Sequence, residues 1–175
     1  QSFAEAVSEI NLVPVAISYE YDPCDIDKGR ELYAKEQGED YIKEKFEDLD
    51  TIQKGFVGYK GRVHVAFGEP VTNAADDAEE LNADSLAEAI DKQVYTNYKL
   101  FPSNIVACHI LGYTQDLDLD LVKSQWPDQD WQDAELRFKD YLSRAPSLYR
   151  KIITEGYAAP VLNYLKVQSV TKQGS

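Results

Sequence analysis

Only two stretches of this chain read as β-strand, against a larger number that read as helix, and that imbalance limits the architecture more than any other feature. Asn11-Leu-Val-Pro-Val-Ala-Ile-Ser18 is a short apolar run, the pattern of a strand covered on both faces in a parallel sheet. Pro14 cannot donate a ladder hydrogen bond, so the strand is expected to lie at an edge there, to bulge, or to begin. Arg62 to Gly68 alternates, which places Val63, Val65 and Phe67 on one face of a second strand closed by Glu69-Pro70. Parallel strands need neighbours and long crossovers, so the expected fold is a helix-rich α/β piece with about two strands of a larger sheet.

The helical pattern is clearer. Asp25 is expected to cap a helix to about Gln37, with Ile26, Leu32 and Tyr33 inward and Gly38 as its stop. Leu49, Ile52 and Phe56 recur at helical steps and predict an apolar stripe over Glu47 to Val57, ended by Gly58 and Gly61. Past the acidic stretch Asp76 to Asn82, Ser85 and Glu88 form a capping-box pattern opening a helix to about Lys99, with Leu86, Ile90 and Val94 buried. Phe101-Pro102 breaks it, and Ser103 caps a shorter helix from Asn104 to Leu111. Further helices are predicted over 118–125, 130–144 (Trp131, Phe138, Tyr141 and Leu142 inward) and 147–165, with Pro127, Pro146 and Pro160 as punctuation.

Charge excludes some functions. The 175 residues carry 31 acidic against 18 basic side chains, a formal charge of −13, which opposes binding to nucleic acid and to anionic headgroups over most of the surface. No apolar run approaches the roughly 18 residues of a membrane span, so the piece is expected to be soluble. The chain contains no methionine, and an upstream portion is expected. Two cysteines, Cys24 and Cys108, are too few for a disulfide scaffold and read as buried thiols.

Candidate chemistry is sparse. His64 sits mid-strand and reads as a hydrogen-bonded structural histidine, and His109 lies in a short apolar helix and reads as a packed one. Cys108 and His109 are neighbours, but adjacent helical positions point about 100° apart, against a thiolate–imidazole pair. Asp116, Asp118 and Asp120 imitate the start of a calcium loop, yet Leu121 and Pro127 occupy the positions that require glycine and glutamate. Gly55, Gly58 and Gly61 lack the Gly-Lys-Ser/Thr ending of a phosphate loop and read as helix-stop and turn residues. The 12 tyrosines are accounted for by packing. From these residues alone, the chain reads as a soluble α/β piece with no recognisable active site.

A string of segments carries more information: Asn11 to Pro23 (ending Ser-Tyr-Glu-Tyr-Asp-Pro), Gly61-Arg-Val-His-Val-Ala-Phe-Gly-Glu-Pro70, Ala89-Ile-Asp-Lys-Gln93, and Asn97 to Asn104. Together they resemble the C-terminal part of the glycerol-phosphate and lysophosphatidate acyltransferase superfamily, over about Glu9 to Leu111. Val13, Pro14, Val15 and Ala16 match that superfamily's apolar–proline block. Its catalytic His-x4-Asp block and its arginine-bearing blocks lie upstream of the proline block and are not in this chain. His64 has Glu69 at the matching offset, but on the wrong side of the proline block, and His109 has Thr114 there.

The resemblance implies a single domain over 1–175, with 1–111 the C-terminal part of the acyltransferase domain and 112–175 a helical extension. It implies a bacterial-type parent in which the upstream histidine, oriented by its aspartate, is general base for a glycerol hydroxyl attacking an acyl thioester. The partners would be acyl-CoA or acyl-carrier protein and a glycerol 3-phosphate or lysophosphatidate acceptor, with no cofactor and no metal. The parent is expected in the cytoplasm or at the cytoplasmic membrane face. This piece is expected to be inactive alone, to contribute Pro14 as its one substrate-side contact, and to self-associate through its exposed strand. Two other readings are a non-catalytic interaction or regulatory domain and an independent hydrolase using His64 or His109.

Overall fold

The computed structural model describes residues 2–71, 82–113 and 119–173, with side chains to residue 168. Most of the acidic stretch Asp76 to Asn82, together with Thr114, Asp116 and Asp118, lies outside the described residues. In chain order the elements are α1 (Phe3–Ile10), β1 (Val15–Tyr19), α2 (Asp25–Glu36), α3 (Glu47–Val57), β2 (Val63–Phe67), α4 (Ala83–Asn97), α5 (Pro102–Ile110), α6 (Leu119–Lys123), α7 (Trp131–Ser143), a 3₁₀ turn (Ser147–Tyr149) and α8 (Arg150–Gln173). The fold is therefore helix-rich α/β, with β1 and β2 forming the one sheet among the described residues. No helix among them is long and apolar enough to cross a membrane. The chain divides into two compact units, one drawn from Gln1–Ser18, His64–Lys99 and Asn163–Ser175, the other from Tyr19–Val63 and Leu100–Leu162.

In the first unit the strands run antiparallel, not parallel as the apolar run of β1 suggested. Gly68 N–H donates to Pro14 C=O (2.8 Å) and Val71 N–H to Leu12 C=O (2.8 Å), so the segment entering β1 pairs with the segment leaving β2. Burial in β1 alternates: Ala16 and Ser18 are buried while Val15 and Ile17 are exposed. The register set by Pro14 and Gly68 puts Val15 beside Phe67 and Ile17 beside Val65, all four exposed, so one sheet face is apolar and bare. The start of α1, which the sequence reading missed, is held by a reciprocal Ser2–Glu5 capping box. On α4 the box lies three residues earlier than predicted: Asn82 caps and Ser85 returns the bond, which leaves Leu86, Ile90 and Val94 half-buried.

The second unit holds the fully buried side chains Leu100, Ile105, Val122, Phe138 and Val161. Here α5 packs on α7 and α6. Pro102 opens α5 at its first position, where its missing N–H costs nothing, so it starts that helix instead of breaking one. Asn104 explains the start: its Oδ1 accepts Phe101 N–H (2.8 Å), and its Nδ2 donates to Tyr157 C=O (2.9 Å). On α2, Asp25 is the first helical residue, not the cap. The helix buries Asp25 and Gly29 while Leu32 is exposed; a Cβ on Gly29 would stand 2.9 Å from Ile153 Cγ1. The span of α3 matches expectation, but Leu49, Ile52 and Phe56 face solvent. Pro160 lies inside α8, which continues through it.

Candidate functional site

Pro14 sits in the first unit, buried, one residue before β1, so the expectations of a strand start and of a strand edge are both met. Its C=O receives Gly68 N–H, and its missing N–H leaves the partner bond of that pair unmade. Beside it, Gln93 of α4 pairs with the backbone of Glu69 as another strand would: Oε1 accepts Glu69 N–H (2.8 Å) and Nε2 donates to Glu69 C=O (3.1 Å). A Cβ on Gly68 would lie 2.2 Å from Gln93 Oε1 and 3.3 Å from Pro14 C=O, so any larger residue would push the Gln93 amide off the Glu69 backbone. Ser18, fully buried, accepts Lys99 N–H at its Oγ (2.9 Å). Pro14, Gly68, Glu69 and Gln93 all belong to the segments that carry the acyltransferase resemblance, and here they fix a strand corner.

The second unit uses the segment after β1. Glu20 takes Arg62 Nε (2.9 Å) and Nη2 (2.7 Å) on its two carboxylate oxygens, and Arg62 N–H as well (3.0 Å). The guanidinium lies 4.3 Å from the Trp126 ring centroid. Burial alone would raise the Glu20 carboxyl, but the three bonds and the charge of Arg62 outweigh it and hold the group below the usual carboxylate range. Because the folded pKa is depressed, this pair stabilises the protein above the unfolded value and the contribution fades as pH falls through the folded one. Glu20→Gln should remove about 1 kcal/mol near neutrality, modest because Arg62 is half exposed, and flatten the acid limb of stability measured by urea titration from pH 7 to 3.

Asp22 and Asp25 follow. Asp22 N–H donates to Tyr157 Oη (2.7 Å), Tyr141 Oη donates to Asp22 C=O (3.0 Å), and Tyr157 Oη donates to Asp25 Oδ2 (3.2 Å). Arg144 Nη2 reaches both carboxylate oxygens of Asp25, and its guanidinium lies 3.8 Å from the Tyr141 ring centroid. Burial pushes the Asp25 carboxyl up, more than Arg144 and Tyr157 pull it down. Burial likewise raises Tyr141 to about 12 and Tyr157 further. A raised carboxyl beside two phenols is an acid–base set in composition, but its groups are consumed by one another. The two described cavities are lined by other residues of this unit. The set works as a clamp that fastens the turn after β1 to α7 and α8.

The remaining candidates lie apart. His64 is exposed on β2. His109 is exposed at the end of α5, not packed as its apolar helix suggested, whereas Cys108 is fully buried with Sγ 3.9 Å from Ala158 C=O, so the two side chains diverge as helical spacing requires. His109 borders a cavity of about 140 Å³ with Trp131, Lys123 and Glu135. Asp120 is exposed on α6, and among the described residues no group of His, Cys, Asp and Glu could hold a metal ion. Gly58 caps α3 and Gly61 turns with φ +61°, as expected, but Gly55 is inside α3 and is not a stop.

Both thiols are free and buried. Burial raises Cys108 to about 12 and lifts Cys24 as well, which suppresses the reactive thiolate. In a thiol–disulfide exchange assay at pH 8, Cys108 should react at least about a hundredfold more slowly in the native protein than in denaturant, with Cys24 faster than Cys108.

No protein-family model, curated protein or solved structure matches the chain.

Proposed function

We propose that this chain is the C-terminal part of a glycerolipid acyltransferase whose whole protein moves an acyl group from acyl-CoA or acyl-carrier protein to glycerol 3-phosphate or lysophosphatidate. The histidine and aspartate of that reaction belong to an upstream portion of the same sheet-bearing domain, and these 175 residues carry no transferase activity alone. Pro14 would stand on the substrate side, where its ring shapes the strand end without presenting an N–H.

One observation supports the reading beyond the order of the matched segments. Val15, Ile17, Val65 and Phe67 form a bare apolar face on a sheet whose two strands, among the described residues, are both edge strands. A two-stranded sheet is marginal in water, and such a face fits one that continues into further strands and cover. The same bareness suits a non-catalytic interaction domain, the competing reading.

The two are separated by the coding sequence and one assay. Under the acyltransferase reading, the reading frame upstream of Gln1 encodes a His-x4-Asp block, and the encoded protein acylates glycerol 3-phosphate or lysophosphatidate with a radiolabelled acyl thioester. Replacing that upstream histidine by alanine should cut turnover at least about a thousandfold. A frame without the block, or a whole protein inert toward both acceptors, would leave the interaction domain as the better account.

A further inference from the structure

Three helices of the second unit converge on a hollow that their own side chains leave open. Along α5, Ile105 and His109 are one helical turn apart, with Val106 beside them, so the three share a side of the helix. The same four-residue step joins Leu119 to Lys123 on α6 and Trp131 to Glu135 on α7. Because α5 packs on both of these helices, the three sides meet and enclose a cavity of about 140 Å³. Its walls are apolar: Ile105, Val106 and Leu119 are buried, and the half-buried Trp131 adds an aromatic ring. An apolar cavity of about 150 Å³ takes up benzene, so this one has room for a single six-membered ring.

The polar groups that border the cavity choose among ligands of that size. Glu135 is already engaged by Lys139, whose Nζ lies 2.5 Å from Glu135 Oε1. Lys123 has no carboxylate within ion-pair reach among the described residues, and its ammonium lies 5.8 Å from the Trp131 ring centroid. A cationic ligand would meet that ammonium at the same ring, whereas an anionic one would find it unpaired. His109 adds a ring nitrogen at the same cavity. The charge of −13 on the whole chain works against an anion, but salt at physiological strength screens it beyond about 8 Å, and a carboxylate in the cavity would meet Lys123 directly.

We infer that the cavity between α5, α6 and α7 is a binding site for a small aromatic carboxylate of benzoate size. The ring lies against Ile105, Val106, Leu119 and Trp131, and the carboxylate takes the Lys123 ammonium, with His109 as a second donor. The site is independent of acyl transfer: ligand binding would stand if the transferase assay failed, and the reverse holds too.

The test is titration of the ¹⁵N-labelled chain with benzoate, benzamide and benzylamine, ligands of similar size and different charge, followed by the indole N–H cross-peaks of its two tryptophans. The Trp131 peak should shift saturably with benzoate, with a Kd of about 1 mM or below, as suits a ligand of about nine heavy atoms. The Trp126 peak should stay in place, because that indole donates to Leu100 C=O (2.9 Å) and does not border the cavity. Benzamide and benzylamine should each bind at least about fivefold more weakly than benzoate. Lys123→Gln should weaken benzoate by a similar factor with an unchanged far-ultraviolet circular dichroism spectrum, whereas Lys151→Gln, at an exposed lysine of α8, should leave it unaltered. Should Lys123→Gln misfold, the ranking of the three ligands on the parent chain decides alone. The inference is overturned if benzoate at about 20 mM leaves the Trp131 peak unmoved, or if the Trp126 peak titrates in parallel with it. Equal or tighter binding of benzamide or benzylamine overturns it too, as does a folded Lys123→Gln variant that binds benzoate like the parent.

Discussion

Arg144→Ala is expected to destabilise the second unit by about 3 kcal/mol or more at pH 7, far beyond the usual effect of a surface arginine. Asp25 is 6% exposed, so removing its partner strands a carboxylate out of water, whereas Arg144 itself is 35% exposed and readily hydrated. The pair is thus asymmetric, and most of the loss comes from what is left behind. Burial already raises the Asp25 carboxyl with Arg144 in place; without it the value must climb further. A carboxyl whose folded pKa exceeds its unfolded one favours the folded state below the unfolded value, and that advantage disappears as pH rises through the folded value. The deficit of Arg144→Ala in urea unfolding should therefore shrink between pH 7 and pH 4. Asp25→Asn added to Arg144→Ala should recover much of the loss, because a neutral amide can still accept from Tyr157. Equal deficits at both pH values would mean that Arg144 acts through its packing on Tyr141 and not through Asp25.

Nothing in the local sequence joins Asp25 to Arg144, which are 119 positions apart. Periodicity reports which residues share a face, and it served well where a face meets a core: α7 was placed to within a residue, with Phe138 and Leu142 inward. It misled at α3, where the stripe is real but its polar side is engaged by Arg30 and Asp27, remote in sequence, and by Tyr41 just upstream. Strand existence was likewise legible in Asn11 to Ser18 and Arg62 to Gly68. Their antiparallel pairing was not, because the 43 residues between β1 and β2 are long enough for either connection. The strand corner at Pro14 was half legible: proline announced an interruption, but the amide of Gln93 closing on Glu69 has no signature in spacing. For the candidate site, the sequence identified residues that matter to the fold without revealing that Tyr141, Arg144 and Tyr157 would converge on Asp22 and Asp25.

Phe138→Ala tests the other support of that clamp and should be the most damaging single truncation in the second unit. Phe138 is fully buried on α7 and meets the Tyr157 ring edge-on at 5.0 Å. Deleting a buried phenyl costs about 3–5 kcal/mol through lost transfer energy and the cavity left behind. For a chain of this length that is a fall of about 10–15 °C in Tm by calorimetry. The cavity also frees the ring whose hydroxyl holds Asp22 N–H and Asp25, so the damage should extend into the polar cluster. Phe138→Ala and Arg144→Ala together should then cost less than their sum, since each loosens what the other depends on. Phe138→Leu, which refills most of the volume but offers no edge to Tyr157, should cost less than half as much as Phe138→Ala. Strict additivity in the double variant would separate the apolar core from the clamp, and the two would have to be treated as independent supports of the turn after β1.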